Sequence, residues 1–150
     1  RSGGAPHRLV AIRGAGDDST QNEGRFRSLE VLLRYGVDAN VARLHATALH
    51  FTAARQSGLS GDDRARFAAM LTDHGARLDM RDDLLKSTPL GWACRWGRTE
   101  MVKLLIQRGA PVRERGAEAW ATPEAWAQKM GHLEIQEILK QNLKPHSGSI

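Results

Sequence analysis

One stretch of this sequence occurs three times with its residues in the same order, and this recurrence limits the fold more than any other feature. Each copy starts at a threonine, and the threonines are Thr47, Thr88 and Thr122. Proline follows the second and third, which are 34 residues apart. A threonine caps a helix by accepting backbone N–H groups, and proline suits the first helical position. Each threonine therefore predicts the start of a helix.

A second, amphipathic helix is predicted in each copy, ending at a glycine that takes a left-handed conformation. Gly75 and Gly109 close the copies that begin at Thr47 and Thr88, and Gly36 closes an earlier copy in which the threonine signature is degenerate. In the copy that begins at Thr88, the residues predicted to face inward are Met101, Val102, Leu104 and Leu105. Those predicted to face water are Glu100, Lys103 and Gln107. One such helix pair cannot bury its apolar face alone, so the copies must stack.

This pattern resembles the ankyrin repeat, a unit of about 33 residues with a Thr-Pro-Leu-His-x-Ala signature. The resemblance is carried by residues 47–53 (TALHFTA), 88–93 (TPLGWA) and 122–127 (TPEAWA). It implies an all-α ankyrin-repeat solenoid of about four stacked helix-turn-helix units. By the same resemblance, His50 is expected to hydrogen-bond backbone between units. Cys94 lies beside Ala93 on the predicted first helix and is expected to be a small packed residue.

The chain is expected to form one repeat domain over residues 5–143. Its units are predicted at about residues 5–42, 43–83, 84–117 and 118–143. Residues 1–4 are expected to be a flexible end or a cloning remnant, and residues 144–150 a flexible tail. The first two units carry insertions between their helices, within residues 14–24 and 57–63. Glu124 replaces the signature leucine of the fourth unit, and polar residues close its last helix, so this unit is expected to cap the stack.

Composition and charge exclude several classes of function. No apolar stretch approaches the ~18 residues that a membrane-spanning helix needs. The chain has one cysteine, which excludes an intrachain disulfide, and it lacks a phosphate-binding glycine loop and histidine pairs at metal-ligand spacing. We therefore predict no cofactor, no metal and no catalytic residue. The net charge of +5 is evenly spread, with +2 in residues 1–75 and +3 in residues 76–150, which disfavours a nucleic-acid partner.

The resemblance further implies that the ends of the first helices and the hairpin tips line a concave groove. The predicted partner-binding residues are Arg55, Trp92, Arg95, Trp96, Trp120, Trp126, Lys129 and Met130. For Trp92 and Trp126, which occupy equivalent positions four residues after a threonine, partial burial between units is an open alternative. Leu84 and Leu85 are candidates for an exposed apolar hairpin tip.

These features predict a non-catalytic protein–protein interaction module that binds a partner protein or peptide, acidic with apolar anchors, through its concave groove. One alternative is binding of nucleic acid or another polyanion. A second is that the chain is the recognition arm of a longer enzyme or effector. We expect a monomer in an intracellular, cytoplasmic setting, with no membrane contact.

Overall fold

A computed structural model describes residues 21–43, 46–54 and 59–143. The helices of this part are α1 (residues 21–34), α2 (Ala48–Ala53), α3 (Gly61–Asp73), α4 (Pro89–Arg95), α5 (Thr99–Gln107), α6 (Pro123–Met130) and α7 (Leu133–Leu143). Two-residue strands β1 (Ala42–Arg43) and β2 (Ala46–Thr47) pair antiparallel before α2. A 3-10 turn, Ala119–Ala121, precedes α6. Three complete helix pairs therefore follow α1, as the all-α prediction requires.

The helices begin and end where the sequence predicts. The side chains of Thr47, Thr88 and Thr122 each accept a backbone N–H of the following first turn, and proline follows the latter two. Gly75 and Gly109 have φ angles of +93° and +98°, in the left-handed region that glycine adopts most readily. The predicted caps and helix ends are thus confirmed.

The helices stack in two layers. In the first layer α4 packs between α2 and α6, and in the second α5 packs between α3 and α7. Small side chains allow the first helices to approach closely, and Ala53, Ala93 and Ala127 are completely buried. Leu90 and Ile135 are among the larger side chains buried in the core. The result is a continuous core shared by neighbouring units, which is how a solenoid is stabilised.

Helix α5 presents its faces largely as predicted. Met101, Val102 and Leu105 are completely buried, and the three predicted polar residues are exposed. Leu104 differs, because it lies half-buried at the edge of the core and packs against it from the side. Its inward-facing assignment is therefore only partly correct.

The insertion predicted at residues 57–63 does not lie wholly between two helices. Helix α3 begins 14 residues after Thr47, whereas α5 begins 11 residues after Thr88. Helix α3 is also longer, with 13 residues against 9. The extra chain is thus divided between the connection and a longer α3, which Ser60 caps by accepting the backbone N–H of Asp63. The other insertion lies outside the described residues up to residue 20.

The two ends of the described stack differ in polarity. On the outer face of the last unit, Glu124, Gln128 and Lys140 are exposed, as expected of a capping unit. At the other end, Leu32 on α1 is 52 % exposed, although its equivalent in α5, Leu105, is fully buried. The described stack is therefore polar at one end and apolar at the other.

Candidate protein-binding surface

Two of the predicted partner-binding residues lie in the core. Trp92 and Trp126 are only 7 % and 4 % exposed. The indole N–H of Trp92 donates to Asp82 Oδ1 at 2.8 Å, and that of Trp126 donates to Ser87 Oγ at 2.8 Å. Because both polar N–H groups find acceptors inside the protein, the large rings can be buried without penalty. Placing these two tryptophans on the groove surface was wrong, and the open alternative of burial between units holds.

Asp82 organises the hairpin that precedes α4. Its buried carboxylate accepts the backbone N–H groups of Leu84, Leu85 and Ser87 in addition to the indole N–H of Trp92. Four donors offset the cost of removing a carboxylate from water. The resulting turn leaves Leu84 71 % exposed, whereas Leu85 turns back and packs against the core. The predicted apolar tip therefore consists of Leu84 and not Leu85.

Neighbouring units are joined by a hydrogen bond at the start of each first helix, but the donor changes from unit to unit. Nδ1 of His50 accepts the backbone N–H of Thr47, so Nε2 carries the proton and donates to Ser87 O at 3.0 Å. One unit later Gly91 replaces the histidine, and Ser87 Oγ shares its proton between Ala121 O at 2.8 Å and Leu85 O of its own hairpin at 2.7 Å. A Cβ on Gly91 would lie 2.9 Å from Ser87 Cβ, so the glycine leaves room for the serine. The predicted role of His50 is confirmed, and Ser87 takes it over in the next unit.

Arg95 is at the centre of a cluster formed by the C-terminal ends of α4 and α6. Its guanidinium carbon lies 4.8 Å from the ring centroid of Trp96 and 4.9 Å from that of Trp126. Nζ of Lys129 lies 5.7 Å from the same Trp126 centroid, and Nη1 of Arg95 lies 3.7 Å from Met130 Sδ. Cations at such distances are attracted by the negative face of an indole. The structure thus brings four of the predicted residues into one cluster, in which two cations lie over the buried Trp126 ring.

Trp120 extends this cluster towards the hairpin before α6. Its ring is 50 % exposed and meets the Trp126 ring edge to face, with centroids 6.1 Å apart. Met130 is 44 % exposed, Lys129 is exposed, and Arg95 and Trp96 are half-buried. We refer to Arg95, Trp96, Trp120, Lys129 and Met130 as the α4–α6 surface. The remaining predicted residue, Arg55, lies outside the described residues.

The α4–α6 surface carries positive charge that no acidic side chain of the described ranges neutralises. Neither Arg95 nor Lys129 has a carboxylate within ion-pair distance there. Arg66 and Arg108, on the outer helix of the second unit and at the end of α5, are by contrast paired with Glu23 and Asp73. The uncompensated cations therefore lie on the same surface as the exposed aromatic and thioether groups.

Two further arginines, which sequence reasoning missed, close the end of α2. Nη1 of Arg64 donates to the carbonyl oxygens of Thr52 and Ala54, and Nε of Arg98 donates to that of Ala53. Guanidinium groups at helix C-terminal carbonyls are stabilising, and here burial lowers the pKa of both side chains. The one sequence signal for this role is the position of Arg98 directly before α5.

The described residues contain no group of three or more histidine, cysteine or acidic side chains placed to hold a metal ion. Cys94 is completely buried, and burial raises the pKa of its thiol, which keeps it protonated and unreactive. Within the same ranges, no helix is long and apolar enough to cross a bilayer.

Comparison with known proteins identifies one family. A family model described as ankyrin repeats in three copies matches residues 19–115 and again residues 60–147. Together these matches extend over all the helices from α1 to α7. A search of curated proteins finds no match to this chain.

Proposed function

Because the chain belongs to the ankyrin-repeat family, whose members generally mediate protein–protein interactions and are typically non-catalytic, we propose that it binds a partner protein through the α4–α6 surface. It does so as a monomer, without cofactor or metal, and it catalyses no reaction. The observation that supports this proposal is the coincidence of exposed indole and thioether groups with unpaired cations at the ends of α4 and α6.

The side chains of this surface are of the types that contribute most to binding. Tryptophan and arginine are enriched among the residues whose truncation weakens protein complexes most. The side chains are also held in place before binding, since Arg95 stacks on Trp96 and Trp120 packs on the buried Trp126 ring. Groups that are ordered beforehand lose less conformational entropy when a partner docks.

The composition of the surface indicates the chemistry of the partner. Trp120 and Met130 offer exposed apolar area for an aliphatic or aromatic side chain, while Arg95 and Lys129 favour acidic neighbours. We therefore propose a partner segment with an apolar anchor flanked by acidic residues. Arg55, which occupies in the second unit the position that Trp96 has in the third, is a predicted extension of this surface towards α2.

The test is affinity capture from source-cell lysate, followed by titration of each captured protein in purified form. The wild type is compared with a variant carrying Trp120→Ala and Met130→Ala. The control is Tyr35→Ala, which removes another exposed aromatic ring, one that lies directly after α1. All variants are first shown to fold by circular dichroism.

We expect a protein that binds the wild type and Tyr35→Ala equally and binds the double variant at least about tenfold more weakly. Equal binding by all three proteins would place the contact elsewhere on the molecule. Retention of nucleic acid alone, with steep loss of binding as salt increases, would support the polyanion alternative.

A further inference from the structure

We infer that Arg95 determines the specificity of the α4–α6 surface, because its guanidinium is a preformed receptor for one carboxylate group of the partner. This inference rests on the proposed function and names the group that the partner presents at this position. It predicts a contact between oppositely charged groups at one defined point, beyond a general preference for acidic partners.

The guanidinium is held in place but lacks an oxygen acceptor. It lies between Trp96 and Trp126, with its central carbon less than 5 Å from both ring centroids. Nε is buried and makes no hydrogen bond, and Nη1 contacts only the thioether sulfur of Met130, which is a weak acceptor. A half-buried group with five N–H donors and no oxygen acceptor among the described residues has most of its hydrogen-bonding capacity available.

Other arginines of the described part show that this state is not typical of the chain. Arg66, Arg81 and Arg108 are each paired with a carboxylate. Arg113 has no such pair but is exposed, so water can solvate it. Arg98 is half-buried like Arg95, but it donates to the carbonyl oxygens of Ala53 and Ala54. In the described part, Arg95 is thus the half-buried arginine without an oxygen acceptor, and a partner can supply one.

The burial of Nε also defines the direction of approach. A carboxylate can bind a guanidinium side-on, through Nε and one Nη, or end-on, through both Nη groups. The side-on mode is closed because Nε is buried from solvent. We therefore expect two parallel hydrogen bonds to Nη1 and Nη2, a geometry that arginine provides and lysine does not.

A carboxylate suits this position better than a doubly charged phosphate. The walls are two indole rings and a thioether, so any bound anion loses part of its hydration, and the loss grows with charge. Lys129 supplies a second cation over the same Trp126 ring, and its charge adds to the attraction for an anion at this surface. The carboxylate comes either from an aspartate or glutamate side chain or from the partner's C-terminus.

The experiment is selection from a library of random peptides displayed on phage, carried out on the folded wild-type protein. Selected peptides are synthesised with a free or amidated C-terminus, and with each acidic residue replaced in turn by its amide. Their affinities are measured for the wild type, Arg95→Gln and Arg95→Lys. The control is Lys140→Gln, which removes one positive charge from an exposed position on α7.

We expect the selected peptides to share one carboxylate whose replacement weakens binding by roughly 10- to 100-fold. Arg95→Gln should weaken binding to the same extent, and the two changes together should cost little more than either alone. Arg95→Lys keeps the charge and should recover only part of the affinity, while Lys140→Gln should bind normally. Sensitivity to C-terminal amidation, or to one side-chain amide, identifies the source of the carboxylate.

Two results would overturn the inference, and they differ in what they leave standing. Peptides that need Trp120 and Met130 but bind Arg95→Gln as tightly as the wild type would refute the carboxylate receptor and leave the proposed function intact. Peptides that bind without any of these side chains would refute both. Should Arg95→Gln fail to fold, Arg95→Lys carries the same comparison, because it retains a cation beside the indole rings.

Discussion

Replacing Ser87 by alanine is expected to destabilise the fold by about 2–4 kcal/mol. Ser87 is completely buried, and its hydroxyl joins the third and fourth units. It accepts the indole N–H of Trp126 at 2.8 Å, and its one proton is shared between Ala121 O at 2.8 Å and Leu85 O at 2.7 Å. The substitution removes one oxygen atom, leaves the Cβ in place and creates almost no cavity. The predicted loss therefore comes from hydrogen bonding alone.

The magnitude follows from the two groups left without a partner. A buried donor or acceptor that loses its hydrogen bond costs about 1–3 kcal/mol. Losing both the indole N–H bond and a full bond to a carbonyl would cost about 2–6 kcal/mol. Because the serine proton is shared between two carbonyls, Ala121 O loses only part of a hydrogen bond, and the expected loss is about 2–4 kcal/mol. For a domain of this size, that loss corresponds to a decrease in the melting temperature of roughly 5–15 °C.

The assay is urea unfolding followed by far-ultraviolet circular dichroism. Ser28→Ala, at an exposed position on α1, is the matched control and should change the free energy of unfolding by less than about 0.5 kcal/mol. A loss below about 1 kcal/mol for Ser87→Ala would refute the reasoning, because it would mean that Trp126 and Ala121 find other partners or water. The space that Gly91 leaves for Ser87 would then not serve a stabilising hydrogen bond.

Three further outcomes are expected. Stability should decrease as the pH falls below about 6.5, because burial lowers the pKa of His50 in the folded state. Neutral His50 stabilises the fold above its unfolded pKa, and this stabilisation is lost as the pH falls. His50→Gln should therefore give a flatter profile of the urea midpoint against pH. Leu105→Ala should cost about 2–5 kcal/mol and Leu104→Ala clearly less, and equal losses in urea unfolding would contradict their different burial. Gly97→Ala should lower the melting temperature, because its φ is +70° and a Cβ would lie 2.7 Å from the His132 imidazole. Gly24→Ala should raise the melting temperature, because Gly24 lies in a helix with open space around it.

Features that depend on neighbouring residues were predictable from the sequence. A threonine caps the helix that follows it, and a glycine ends the helix before it, so Thr88 and Gly109 locate α4 and α5 without knowledge of the rest of the fold. The repeat distance then places equivalent residues of successive units side by side. The same argument brought Arg95 and Met130 into one cluster, which the structure contains.

Burial of individual aromatic rings was not predictable, because the deciding groups come from other parts of the chain. Trp92 and Trp96 are four residues apart on one helix, yet one is in the core and the other half-exposed. The difference lies in Asp82, ten residues away in a hairpin, which accepts the indole N–H of Trp92. For Trp126 the acceptor, Ser87, is 39 residues away. Periodicity places a ring on one face of a helix, but it does not show whether another part of the chain provides an acceptor for the indole N–H.

The distribution of aromatic residues gives this protein a natural optical probe for one end of the stack. All four tryptophans lie between Trp92 and Trp126, in the last two units, whereas the single tyrosine, Tyr35, directly follows α1 and is 87 % exposed. Because repeat arrays can unfold progressively from one end, indole emission reports on the polar-capped end, whereas far-ultraviolet circular dichroism reports on all the helices; Tyr35 is already exposed, so its absorbance should change little. Transitions that coincide would show that the array unfolds as one cooperative unit. Separated transitions would reveal an intermediate in which one end is open, without any attached label.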